Sequence, residues 1–240
     1  MIELVFRNDA YTRECLSAVL GLTADGGIIL ERTVFYASAG GQPGDMGHLV
    51  LADGSLCKIA TTVYGPDKAT PVHVPVEGAP LPKVGELVTA IVDWDSRYKL
   101  MRMHTGLHLL CSLVKFPVTG GQVGAQEGRL DFDIEDASAI DKDALTAALN
   151  ALVAADHPVT ERYITDAQLE ANPGLVRTMS VKPPIGTGHV RLVAIGTDGR
   201  VDLQPCGCTH VKRTSEIGQL AVTKIEKKGK INRRIRVAFV

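Results

Sequence analysis

The chain has 240 residues, 45% hydrophobic and 22% charged, with a net charge of −1, so it can bury one large or two modest cores and has the composition of an ordinary globular protein. No twenty-residue apolar stretch and no signal-peptide pattern is visible at its start, which argues against a membrane or exported protein and sets the expectation of a cytoplasmic one. Five cysteines, an odd number, argue against a disulfide framework and fit reduced thiols.

From Met1 to about Val92, short β-prone runs alternate with glycine and proline: Ile2 to Phe6, Gly27 to Thr33, Leu56 to Tyr64, Val72 to Val76 and Leu87 to Val92. Such spacing predicts a small β-barrel or sandwich over residues 1–93. The stretch Tyr11 to Leu22 fits strand or helix equally on periodicity.

The character changes near Asp93. Asp95 or Ser96 can cap a helix whose apolar positions Leu100, Met103, Leu107, Leu110 and Val114 recur at three and four residues. His104 and His108 each follow a stripe residue by one position, which puts both at the border of that stripe. A second helix starts at Ser138 or Asp141 and ends at His157-Pro158, and a short one starts at Asp166. After Val190 the chain returns to strands, Val190 to Ile195 and Val201 to Gln204, joined through Thr197-Asp198-Gly199; Ile217 to Ile225 and Ile231 to Val240 flank Lys227-Lys228-Gly229-Lys230. Residues 94–240 are therefore α+β, and the whole chain is an α+β protein led by a small barrel.

Charge is unevenly spread. Between Lys212 and Arg236 there are nine basic and two acidic residues, a local net charge of +7 that leaves −8 for the rest. A basic surface of this size can attract a phosphate backbone, and equally it can be a solvated outer face.

The chemistry-bearing pattern is His104-Thr105-Gly106-Leu107-His108 with the distant Cys206-Gly207-Cys208-Thr209-His210. Histidines four apart on a helix project from one face and can reach one ion, and a Cys-x-x-x-His segment offers two further donors of the kind zinc accepts. Either thiol, Cys206 or Cys208, can be the ligand; the spacing to His210 favours Cys206. Thr105 stands where zinc peptidases with His-Glu-x-x-His carry their glutamate base, which weakens a protease reading. The remaining histidines, His48, His73, His157 and His189, lack metal spacing.

These two motifs resemble those of the editing domain of alanyl-tRNA synthetase and its free-standing relatives, the AlaX proteins, which are also similar to the editing domain of threonyl-tRNA synthetase. Thr33-Val34-Phe35-Tyr36, Gly40-Gly41-Gln42-Pro43-Gly44-Asp45-Met46-Gly47, Arg129-Leu130-Asp131-Phe132-Asp133 and Glu216-Ile217-Gly218 carry the likeness along the whole chain. The resemblance is to the medium-length AlaX type, with a glycine-rich barrel ahead of a zinc-containing α+β editing domain. It implies a hydrolase that removes serine, and often glycine, from mischarged alanine tRNA. It implies Zn2+ on His104, His108, Cys206 and His210, the tRNA acceptor end as partner, no membrane and no nucleotide cofactor. One departure stands out: the family usually reads Cys-Gly-Gly-Thr-His, and a left-handed backbone at Cys208 would be strained.

Further roles are expected around that centre. Thr33 can offer a hydroxyl to serine, Gly40, Gly41 and Gln42 can border the amino-acid pocket, and Gln122 can hydrogen-bond the water or the ester. Lys227, Lys228, Lys230, Arg233 and Arg234 are expected to contact phosphates, with Lys212 and Arg213 nearby. The rival readings are a zinc-stabilised RNA-binding module without catalysis and a small-molecule zinc hydrolase.

Overall fold

In the first hundred residues, glycine and proline leave runs too short for long helices, and side chains that alternate between core and surface make these runs strands. The computed structural model of the protein describes residues 2–135, 140–179, 188–229 and 231–240. The chain divides into two compact units, Met1–Tyr98 and Lys99–Val240.

In the first unit, β1 (Glu3–Leu4) and a single helical turn, α1 (Val5–Asn8), precede β2 (Glu14–Leu22), β3 (Ile28–Leu30), β4 (Arg32–Thr33), β5 (Gly47–Val50), β6 (Leu56–Tyr64), β7 (Pro71–Pro75) and β8 (Leu87–Val92). Six of these close into a barrel in the order β2-β3-β7-β6-β5-β8, around Val19, Leu30, Leu49, Ile59 and Val88. The expected small β-barrel is thus present. Tyr11 to Leu22 resolves as a strand, and Ile2 to Phe6 turns helical after Leu4. Strand β5 was not expected, because its four residues follow directly on a glycine-rich run.

That run is itself structural. Gly40 and Gly41 have φ of 55° and 79° in a two-residue turn closed by hydrogen bonds between Ala39 and Gln42, a conformation in which only glycine is at ease. At Gly44 a Cβ would lie 1.8 Å from the Thr62 carbonyl oxygen. The turn then delivers Asp45 into the interior, where its carboxylate accepts from the Tyr36 amide and from the fully buried Arg97 guanidinium. Arg97 also donates to the Ala10 and Val34 carbonyls.

Helix α2 (Trp94–Leu113) starts in the first unit and runs on into the second. Its cap is Asp93, whose Oδ1 accepts from the Ser96 amide at 3.1 Å, rather than Asp95 or Ser96. Beyond it lie β9 (Val118–Gln122), β10 (Glu127–Asp133), α3 (Lys142–Ala154), β11 (Val159–Thr165), α4 (Asp166–Glu170), β12 (His189–Ile195), β13 (Asp202–Pro205), β14 (Leu220–Lys227) and β15 (Asn232–Phe239). Asp141 caps α3 by accepting from the Ala144 amide at 2.7 Å; Ser138, the alternative start, lies outside the described residues.

Two antiparallel sheets result, β14-β15-β10-β9 and β11-β12-β13. The outer edge of β14 is covered by α3, whose Asn150 amide exchanges hydrogen bonds with both backbone groups of Leu220 while Thr146 accepts from Val222. Helix α2 differs from the amphipathic helix expected: from Leu100 to Cys111 every residue except Arg102 is buried. Close approach is made possible by glycine on both sides of the contact. A Cβ on Gly128 of β10 would sit 2.9 Å from Met103, and one on Gly106 of α2 would sit 3.0 Å from Leu220.

Candidate metal centre

His104 and His108 rise from one face of α2, and the loop leaving β13 brings Cys206 and His210 against them. The four donor atoms lie within 4.8 Å of one another, and the three imidazole centroids are 4.5 to 5.3 Å apart. Cys206 is half-buried and the three histidines are buried. The structure therefore brings together the four residues that the sequence offers as metal ligands, in a cluster that could hold an ion.

Two of the three rings are oriented from behind. His108 Nδ1 lies 2.8 Å from Asp202 Oδ2, and a carboxylate only accepts, so the proton sits on Nδ1 and Nε2 faces the cluster. Gln204 Nε2 donates to the same Asp202 oxygen at 2.8 Å. For His210 the partner is Thr105: its hydroxyl donates to the Met101 carbonyl at 2.9 Å, so toward His210 Nδ1, at 3.1 Å, it can only accept. His210 is then a neutral ring protonated on Nδ1, with its Nε2 lone pair aimed at Cys206 Sγ, 3.3 Å away. Thr105, notable in the sequence for not being a glutamate, is an orienting group.

The electrostatics follow from burial and neighbours. Burial pushes His210 down to about 3. Burial acts the same way on His108, but the Asp202 hydrogen bond and the adjacent Cys206 outweigh it and raise this ring to about 10. A hydrogen bond from the Cys208 thiol, with His104 and His210 alongside, holds the Cys206 thiol well below the usual thiol range against the desolvation that opposes it. A thiolate among imidazoles whose Nε2 atoms converge on it is a donor set matched to a borderline-soft divalent cation. A tetrahedral ion with a sulfur bond of about 2.3 Å and a nitrogen bond of about 2.0 Å separates such atoms by about 3.5 Å. The separations from Cys206 Sγ to His210 Nε2 and to His104 Nε2, 3.3 and 3.9 Å, bracket that value.

Comparison with known proteins bears on what this centre serves. Residues 190–236, which include the Cys206–His210 loop, match the family of the threonyl and alanyl tRNA synthetase second additional domain. The chain is 34% identical to the alanyl-tRNA editing protein AlaX-M of Methanosarcina acetivorans, over 98% of both chains. The chain belongs to the AlaX family. It is also 28% identical to the AlaX-M protein of Saccharolobus solfataricus over 98% of both chains. A stretch covering 93% of it is 35% identical to the alanine–tRNA ligase of Pyrobaculum arsenaticum, of which it matches 25%.

Within this AlaX chain, the departure at position 208 is accommodated. Among the described residues, the non-glycine positions with positive φ are Lys68, Asp156 and Asp198, so Cys208 carries no left-handed strain. Its side chain is buried, and Cys206 is the thiol in the four-donor cluster.

Other expected site residues belong to the first unit or are otherwise engaged. Thr33 belongs to the first unit and is fully buried; its hydroxyl contacts His73 Nε2 at 2.7 Å and accepts from the Phe35 amide at 3.0 Å. His73 Nδ1 donates to the Ile28 carbonyl at 2.9 Å, so its Nε2 accepts the Thr33 proton and the pair is saturated. That hydroxyl is therefore engaged within the first unit. Gly40 and Gly41 are exposed in their turn and Gln42 is buried, all in the first unit. Gln122 is exposed on β9, and its Oε1 accepts from Arg129 Nε at 3.3 Å.

The basic tail is corrected in the same way. Arg233 is buried and donates to the Gly229, Asn232 and Glu135 carbonyls, which removes it from the phosphate-contacting set. Arg234 forms a two-pronged pair with Asp131, and Arg236 bridges Glu226 and Glu127. Part of the +7 is thus offset across the strands by Asp131 and Glu127, which counting along the tail leaves out. Lys227 is exposed; Lys228 lies 3.5 Å from Glu226, and Lys230 lies outside the described residues. Arg213 pairs with Asp156. Among the described residues, no helix is long and apolar enough to cross a membrane.

Proposed function

We propose that the protein is a trans-editing hydrolase that deacylates mischarged alanine tRNA, removing serine and possessing the same chemistry for glycine, by zinc-dependent ester hydrolysis. One observation carries the reading: His104, His108, Cys206 and His210 converge within 4.8 Å in a chain of the AlaX family. Those four residues would hold Zn2+, which, when bound, supplies a Lewis acid able to polarise an ester carbonyl or lower the pKa of water.

The chain's own groups have defined tasks in this reading. Asp202 and Thr105 keep both Nδ1 protons in place, so that His108 and His210 present only Nε2 to the ion. An aminoacyl ester is already reactive, so the protein has chiefly to orient the carbonyl and deliver water. Gln122, with its Oε1 engaged by Arg129, keeps its amide hydrogens for the ester or the water. Gly40 and Gly41 present backbone N–H groups on an exposed turn, beside the buried Gln42, for the amino-acid end of the substrate. Lys227 and Lys228 supply sequence-independent attraction for the tRNA backbone. Charged tRNA places this work in the cytoplasm.

The test is deacylation of serine-charged alanine tRNA by the wild type and by a variant with His104→Ala and Cys206→Ala. Wild type is expected to release serine, and the variant to hold no stoichiometric zinc and to be slower by at least about a hundredfold, the scale of several kcal/mol of lost electrostatic stabilisation. Full serine release without zinc refutes the reading. Wild type that binds the tRNA and leaves the ester intact turns the assignment to a zinc-stabilised RNA-binding module.

A further inference from the structure

The loop carrying Cys206 and His210 is packed at its far end, where Cys208, Thr209, His210 and Val211 are buried and Thr105 contacts His210 and Val211, and is bare at its apex. At its apex Gly207 is exposed, and no heavy atom lies within 4 Å of where a Cβ on it would stand. Around that apex the contacts come from the neighbouring strand. Arg191 on β12 donates from one nitrogen, Nη1, to both the Cys206 carbonyl at 2.7 Å and the Cys208 carbonyl at 3.0 Å. The Cys206 amide returns a hydrogen bond to the Arg191 carbonyl at 3.2 Å. Two carbonyls two residues apart, gathered on one donor, curl the backbone around Gly207 and thereby set the direction of the Cys206 thiolate.

The guanidinium is itself held. Nη2 donates to Glu161 Oε1 at 2.5 Å, from a diagonal position on β11, and the Arg191 side chain is only 10% exposed. Desolvation opposes the charge on Arg191, and the Glu161 partner more than restores it. A lysine ammonium has the charge but not the planar fork that reaches a carboxylate and two carbonyls at once.

We propose that Arg191 is a positioning residue for the metal centre, held by Glu161, and that it pre-forms the loop that presents Cys206 and His210. The inference rests on the metal reading above. Its consequence is that the guanidinium sets how tightly the ion is gripped, although it touches neither ion nor substrate.

The experiment uses the full chain and cobalt(II) alone as a spectroscopic probe, with affinity read by competition against a chromophoric chelator. Relative to wild type, Arg191→Met is expected to bind cobalt about 10- to 100-fold more weakly, as loss of an outer-shell partner does, and to lose intensity in the thiolate-to-cobalt charge-transfer band. Arg191→Lys is expected to fall with Arg191→Met. Glu161→Gln, which keeps the guanidinium but loosens it, is expected to show a smaller loss in the same direction and carries the test should Arg191→Met fail to fold. Wild-type affinity and spectrum in Arg191→Met, or in Glu161→Gln where the former is unfolded, overturn the proposal. So does full recovery in Arg191→Lys, or a lower unfolding midpoint of the metal-free variants with unchanged affinity in the folded protein. A wild-type chain that takes up no cobalt or zinc overturns the metal reading itself, which separates the two failures.

Discussion

Both units bury polar clusters, and the two differ in how those clusters are satisfied. In the barrel, Thr33, His73, Asp45 and Arg97 give and receive hydrogen bonds among themselves and with backbone carbonyls. In the second unit, Asp202 and Thr105 satisfy the back of the imidazoles, while Nε2 atoms of three rings and one thiolate face each other across a few ångströms. A closed polar cluster fixes a fold; one whose acceptors point at a common centre has room for a cation.

The contrast can be broken at three points. The largest effect is expected in the barrel: Asp45→Asn strands the fully buried Arg97 charge and should cost about 3–5 kcal/mol. Urea unfolding followed by the fluorescence of the single tryptophan, Trp94, measures it, and a loss under about 1 kcal/mol would mean that the carbonyls alone satisfy Arg97.

A comparable effect is expected from acid. Burial pushes His73 down to about 4 from an ordinary 6.5, so as pH falls the unfolded chain takes up the proton first. The stability contributed by the neutral ring is complete above about pH 6.5 and is lost toward pH 4, by up to about 3 kcal/mol. Replacing His73 by Phe should flatten the barrel's stability profile across that window; an unchanged slope assigns the acid sensitivity to other groups.

The smallest effect falls on the metal centre. Asp202→Asn keeps the shape but can present a donor instead of an acceptor to His108 Nδ1, and zinc affinity is expected to drop about 10- to 100-fold with little change in the melting of the metal-free chain. Unchanged affinity would leave Asp202 a packing residue.

What was legible in the chain followed from local pattern. The four candidate ligands stand at spacings that a helix and a turn convert into one cluster, and Leu56–Tyr64, Leu87–Val92 and the two late hairpins alternate or carry turn residues as strands do. Strands β10 and β11 were not legible. The run Glu-Gly-Arg-Leu-Asp-Phe-Asp is rich in charge because Asp131 and Glu127 pair with Arg234 and Arg236 on β15, and β11 is largely exposed. Asp202 and Gln204 could have been noticed as polar residues at alternate positions of a strand running into Cys206; their aim at His108 depends on tertiary placement. Arg97 and Arg191 gave no local sign, since an arginine is ordinarily a surface residue and only the register of its neighbours makes it a buried one.

The separation of the ligands along the polypeptide also has a temporal side. His104 and His108 emerge from the ribosome about 5 to 20 seconds ahead of Cys206 and His210, at ordinary rates of chain growth. A nascent chain ending before the loop has half of the proposed coordination sphere and no Asp202 behind it, so on the metal reading ion capture can only follow synthesis of His210.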